Sequence, residues 1–305
     1  MTANRANLLK KTHKVLKKHF KPVTPNLRAP LLHQLVYSCC LEDATADAAD
    51  PAFAALETQY YDWNEVRVST VTELGESIPM LPDPKRAAAR VKRVLQSVFE
   101  ANYSFDLEFL KKENIGAAVK KLQKYKGVTP YVAAYVTQTA LAGHSIPVGD
   151  GALDVLYVIG AINEKEKAAR SVPGLERAIP KNKGIEFGSL LNQLGVEYAR
   201  APHAAGARKI LIEIAPDAKD RLPKRRTKKT IAAEEAAKAA AATKKAAKQA
   251  KKSPLKKTVK KAAPTGPPKK KTVTVKRKKS TTKAKAAVTK KKKTASKRTT
   301  KRKPR

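Results

Sequence analysis

The stretch Leu122-Gln-Lys-Tyr-Lys-Gly127-Val128-Thr129-Pro130-Tyr131-Val-Ala-Ala-Tyr-Val136 carries residue types from which a phosphate grip can be built. Gly127 permits a tight turn that brings backbone close to an anion, and Pro130 suits the first turn of a following helix. The N–H groups opening that helix have no intrahelical acceptor, so they can donate to a phosphate without reading a base. The spacing predicts a helix-hairpin-helix over residues 115–136. One glycine turn between helices is common in globular proteins, so the motif takes its weight from what surrounds it. Elsewhere the reactive types do not gather. His13, His19, His33, His144 and His203 are scattered without ligand spacing, and no metal site or cofactor is expected. Cys39 and Cys40 read as small buried apolar groups, since a disulfide between adjacent cysteines is strained.

The charge points the same way. The 305 residues hold 65 Lys+Arg against 26 Asp+Glu, a formal net charge of +39, which calls for a polyanionic partner. Lys224–Arg305 contains 34 of the basic residues and 2 of the acidic ones, so the preceding part is only mildly basic, with 31 against 24. That tail (223–305) lacks aromatic side chains and is expected to be disordered, because it cannot bury enough apolar surface to offset chain entropy. Residues 231–252, mostly Ala, Glu and Lys, have the propensity for a lone helix. Such a cation density favours DNA, through counterion release, over a merely solubilising role, and RNA is a further polyanion it could serve. Lys224, Arg225 and Arg226 are candidate phosphate contacts. No apolar run suits a membrane span and no secretory leader is read, so an intracellular protein is expected, in a bacterial nucleoid or cytoplasm or in a nucleus.

The elements that must position the hairpin read as helices throughout residues 1–222, and the fold class is all-α. Leu8, Leu9, Thr12, Val15, Leu16 and Phe20 form one apolar face of a first helix. Leu31–Leu41 is apolar enough to be buried on all sides. Further helices are expected at 51–60, 63–68, 70–78, 85–103, 107–111 and 115–124. Thr70-Val-Thr-Glu73 has the spacing of a reciprocal cap, and Asp83-Pro84 reads as a helix start.

Taken in order, these landmarks resemble the endonuclease III branch of the helix-hairpin-helix base-excision DNA glycosylases over nearly all of residues 1–222. The resemblance rests on Trp63-Asn-Glu-Val-Arg67, on the hairpin Tyr125-Lys-Gly-Val-Thr129, and on Val148-Gly149-Asp150-Gly151 followed by a helix ending at Gly160. It implies two helical domains, 1–26 with 142–222 and 27–141, a DNA cleft between them, and a flipped base whose sugar cation is stabilised by a carboxylate. The tail, with words such as Lys251-Lys252-Ser253-Pro254-Leu255-Lys256-Lys257, resembles the C-terminal tail of linker histones.

The departures are specific. Aligned without a gap, Gly149 stands where the family has its catalytic Asp, and Asp150 lies one residue on, a rotation of about 100° on a helix. Asp150 is therefore the candidate catalytic carboxylate, and the competing reading makes it a cap on a helix beginning near Gly151. Tyr131 occupies the place of the nucleophilic Lys of bifunctional members, so no lyase step is implied. Cys40 stands where a wedging Gln is common. Ala199, Gly206, Lys209 and Ala215 stand near the four cluster cysteines, which excludes iron–sulfur ligation there. Arg200, Arg208 and Lys209, with His203, would remain as a basic loop able to touch phosphate. The DNA-binding set is thus Gly127, Val128, Thr129, Pro130, Arg200, Arg208, Lys209, Lys224, Arg225 and Arg226. The expectation is a DNA-binding protein of the glycosylase fold, diverged or inactive, the alternative an active monofunctional glycosylase using Asp150.

Overall fold

The computed structural model describes residues 2–223, and all regular structure among them is helical. In chain order the helices are α1 (Thr2–His19), α2 (Leu31–Leu41), α3 (Ala46–Gln59), α4 (Trp63–Val68), α5 (Val71–Ser77), α6 (Pro84–Asn102), α7 (Ile115–Leu122), α8 (Pro130–Thr139), α9 (Asp150–Val158), α10 (Glu164–Ala168), α11 (Leu175–Ala178), α12 (Lys181–Arg200), α13 (Ala205–Ile214) and α14 (Ala218–Arg221). A 3₁₀ turn fills Glu108–Lys112, where the sequence suggested an α-helix. The expected disordered tail, its helix at 231–252 and the contacts at Lys224, Arg225 and Arg226 lie outside the described residues.

Two buried apolar clusters organise these helices. One is drawn from residues between Leu31 and Leu141, and includes Leu35, Val36, Leu74, Val91, Leu95, Leu122 and Val136. The other joins Leu9, Val15 and Leu16 of α1 to side chains between Ile146 and Leu222, among them Leu156, Phe187, Leu191 and Leu211. The first helix thus buries the face predicted for it against α11, α12 and α13, at the far end of the described chain. Thr12 sits on that face because its hydroxyl returns to the Leu8 carbonyl at 2.8 Å.

Local signals set several helix starts. Thr70 accepts from the Glu73 amide while Glu73 returns to the Thr70 amide, so the reciprocal cap read from the sequence is formed. Asp83 caps α6 through the Arg86 amide at 3.0 Å. Helix α3 begins at Ala46, five residues before the expected start at Pro51, which lies inside it. Proline at N1 is a good start signal, but the Ala-rich turn after Thr45 begins the helix earlier, so Pro51 falls in its second turn and leaves the Asp47 carbonyl without its i+4 amide.

Candidate nucleic-acid interface

Helices α7 and α8 with the turn between them make the hairpin. Its turn is a left-handed one at Gly127, φ +97°, and it lies so near α6 that an added Cβ would stand 3.1 Å from both Arg93 Cβ and Val94 Cγ2. The neighbouring amides are spoken for: Lys126 N–H donates to Ser97 Oγ at 2.9 Å, and Val128 N–H to the Tyr125 carbonyl at 3.2 Å. Thr129 caps α8, its Oγ1 accepting from Val132 N–H, and Pro130 follows at the first position. Among the described residues no acceptor takes the N–H groups of Gly127, Thr129 or Tyr131, which leaves three backbone donors at one turn. Arg93, Lys124 and Lys126 are exposed around them. Amide donors beside cations are the chemistry from which a phosphate site can be built.

Thr129 also ties the hairpin to an ionic network that sequence reasoning missed. Its hydroxyl donates to Glu42 at 2.8 Å, and Glu42, 1% exposed, pairs with Arg90 at 2.8 Å. Arg90 also holds Asp43 at 2.8 Å and donates to the Cys39 carbonyl. Burial pushes the Glu42 carboxyl up, only partly opposed by Arg90 and the Thr129 hydroxyl. A signal was available: two acids directly after an apolar helix sit at its C-terminus, where the helix dipole disfavours negative charge, so cations must be brought to them. Cys40, placed at the wedge position by the resemblance, is buried in the first cluster and its thiol is pushed up to about 12 by desolvation. Two residues on, Glu42 is the side chain that reaches the hairpin.

Gly149 and Asp150 part ways. Gly149, not Asp150, is the N-cap of α9, and no side-chain cap bond is made, which overturns the reading of Asp150 as a cap. The Asp150 carboxylate instead takes Arg170 and Arg86, the latter at 3.1 Å. Burial alone would raise its pKa, but the two guanidinium hydrogen bonds outweigh that and hold the carboxyl below its usual range. A Cβ at Gly149 would stand 3.8 Å from the Tyr131 ring and 4.0 Å from Asn192 Oδ1. The position that the resemblance gives to a carboxylate therefore faces Tyr131, and it holds no side chain. Tyr131 is itself buried, and desolvation lifts its phenol well above the ordinary value. Cavities here are small, about 50 Å³ beside Tyr131 and about 30 Å³ beside Asp150. Pockets that bury a ligand run to roughly 300–1,000 Å³.

The basic loop expected at Arg200–Lys209 is mostly not a loop. Residues 205–214 form α13, because Ala207, Ile210, Leu211 and Ile214 recur at helical spacing and bury against the second cluster. Lys209 is exposed on that helix, Arg208 donates to the Pro223 carbonyl at 3.3 Å, and Arg200 ends α12 in solvent. Ala199 and Ala215 lie at opposite ends of the segment, with Gly206 and Lys209 on successive turns of α13. None of these contacts gathers Arg200, Arg208 and Lys209 with the hairpin.

No protein-family profile and no curated protein matches the chain. Solved structures similar to it include a thermostable thymine-DNA glycosylase, at 15% identity and a TM-score of 0.46, over 64% of this chain and 87% of that one. Another is an endonuclease III trapped as a covalent intermediate with DNA, at 17% identity and a TM-score of 0.46, over 73% of this chain and 99% of that one. A third is the Clostridium acetobutylicum 8-oxoguanine glycosylase/lyase in complex with DNA, at 16% identity and a TM-score of 0.41, over 65% of this chain and 68% of that one.

Proposed function

We propose that this chain is a DNA-binding protein built on the helix-hairpin-helix glycosylase architecture, no longer excising bases, with a linker-histone-like tail that adds sequence-independent affinity. The observation that carries the binding half is the hairpin turn, where three amides without acceptors sit among exposed Arg93, Lys124 and Lys126. The loss of chemistry is supported by Gly149 facing Tyr131 without a carboxylate, by Asp150 committed to two arginines, and by the small cavities around them. Residues 1–26 with 142–222 and residues 27–141 act as two domains with DNA against the cleft between them. The partner places the protein on the chromosome, in a nucleoid or a nucleus.

Duplex binding by the full chain and by residues 1–223, each across a salt series, tests this. If the tail covers about ten phosphates, its removal flattens the log–log salt slope by about 9. An unchanged slope removes the tail from the reading, and structured RNA competing better than duplex would reassign the partner. Incubation with duplexes carrying uracil, oxidised pyrimidines or mismatches, followed by alkali, decides the chemistry. Excision that is lost in Asp150→Asn would establish the alternative, an active monofunctional glycosylase.

A further inference from the structure

Arg86, Arg90 and Arg93 recur at spacings of four and three on α6, so they share one face along about 10 Å of helix axis. At one end Arg93 lies against the hairpin turn, its Cβ in the space a Gly127 side chain would need. In the middle Arg90 is buried and committed to Glu42 and Asp43. At the other end Arg86 meets Asp150, as does Arg170 from the segment after α10, and Arg86 also lies 3.6 Å from Asp43. These last three are at the surface, with side chains 50%, 34% and 42% exposed for Arg86, Arg170 and Asp150. Two guanidinium groups converging on one carboxylate present the same donors to a phosphodiester. Arg170 sits at φ +50°, directly after the end of α10, where glycine is the usual residue. The chain thus accepts a local backbone cost with a guanidinium at this place. Partly exposed ion pairs are weak in water, so a polyanion can displace this one.

We propose that Arg86 and Arg170 form a second phosphate site, further along α6 from the hairpin, which Asp150 fills in the free protein and a nucleic-acid phosphate takes over on binding. The identity of the ligand rests on the DNA-binding reading; the arginine pair and its internal competitor do not. Asp150 then acts as a stand-in for phosphate that weakens binding and keeps the two cations in place until DNA arrives.

The test uses the full chain and a short undamaged duplex. Asp150→Asn is expected to bind about tenfold tighter at low salt, because no ion pair has to be given up before the two arginines reach phosphate. Glu76→Gln, which neutralises an exposed carboxylate elsewhere, should produce a much smaller change. Adding Arg86→Gln and Arg170→Gln to Asp150→Asn should abolish the gain. A parallel titration with inorganic pyrophosphate, followed through the guanidinium NMR signals, should move Arg86 and Arg170 at lower concentration in Asp150→Asn than in the native chain. The proposal is overturned if Asp150→Asn binds no tighter than Glu76→Gln, or if its gain survives loss of both arginines. Should no form bind duplex, the DNA-binding reading fails, and pyrophosphate decides the site alone: unmoved Arg86 and Arg170 signals in Asp150→Asn would dispose of it.

Discussion

Replacing Gly127 by alanine separates two demands on the hairpin turn. At φ +97° an alanine is strained by about 1–2 kcal/mol whatever the space around it. At this position its Cβ would also stand 3.1 Å from Arg93 Cβ and Val94 Cγ2 and 3.2 Å from the Val94 amide nitrogen, atoms anchored on α6. Relieving those contacts requires the turn to lift away, which adds an overpacking cost of about 1–3 kcal/mol. Gly174 supplies the control, since its φ is +80° and nothing lies within 4 Å of an added Cβ. Gly174→Ala should therefore cost only the conformational part and leave duplex affinity alone. Gly127→Ala should cost more, by about 1–3 kcal/mol in urea unfolding, and should weaken duplex binding about tenfold or more as the amides of Gly127 and Thr129 leave their places. Equal losses of stability in the two variants, with equal affinities, would refute both the close approach to α6 and the role of the turn in binding.

Two further variants probe other parts of the argument. His13 is buried, and at 3.6 Å from Glu186 its Nε2 has no hydrogen-bond partner. Burial lowers its pKa, so the unfolded chain binds this proton more readily. The stability linked to His13 is present above the ordinary histidine value of about 6.5 and is lost as pH falls toward the folded value. His13→Leu should flatten thermal stability against pH across that window, and an unchanged profile would assign the dependence to other groups. At Gly149, φ −81° suits any residue and the nearest atom to an added Cβ is 3.8 Å away. Gly149→Ser should then gain a few tenths of a kcal/mol in thermal unfolding as a better N-cap. Gly149→Asp should fall short of Ser, because Glu42, Asp43 and Asp150 line the same cavity; an Asp variant more stable than Ser would show that the cavity's charge is already neutralised.

What the sequence made legible was local. The faces of α1 and α2, the Thr70–Glu73 cap, the Asp83 start and the glycine turn before Pro130 depend on neighbours within four residues. The misreadings have separate causes, and only one involves partners far along the chain. Asp150 looked like a cap because helix starts favour Asp, yet its arginines come from 64 and 20 residues away. Residues 205–214 looked like a loop because the resemblance put a cluster loop there, and the apolar spacing of Ala207, Ile210, Leu211 and Ile214 was the contrary signal. The expected start of α3 at residue 51 fell five residues late, because the turn before Pro51 rests on alanine propensity and Asp47 without a side-chain cap bond to mark it.

The network from Thr129 through Glu42, Arg90, Asp43 and Arg86 to Asp150 and Arg170 bears on chemistry as well as on binding. A carboxylate that stabilises a developing sugar cation has to be ionised, close to the reacting carbon and uncommitted when the charge appears. Glu42 is buried and its ionisation is disfavoured by desolvation, so it answers the first condition poorly. Asp150 is ionised, but two guanidinium groups already neutralise it, and they would have to leave before it could face a cation. Phosphate capture by Arg86 and Arg170, as proposed above, would release the carboxylate. The arginine pair therefore joins the two readings of Asp150 in a single order of events: if any excision is ever detected, it should require Asp150, and losing either arginine, which frees the carboxylate as phosphate capture would, should reduce affinity more than turnover.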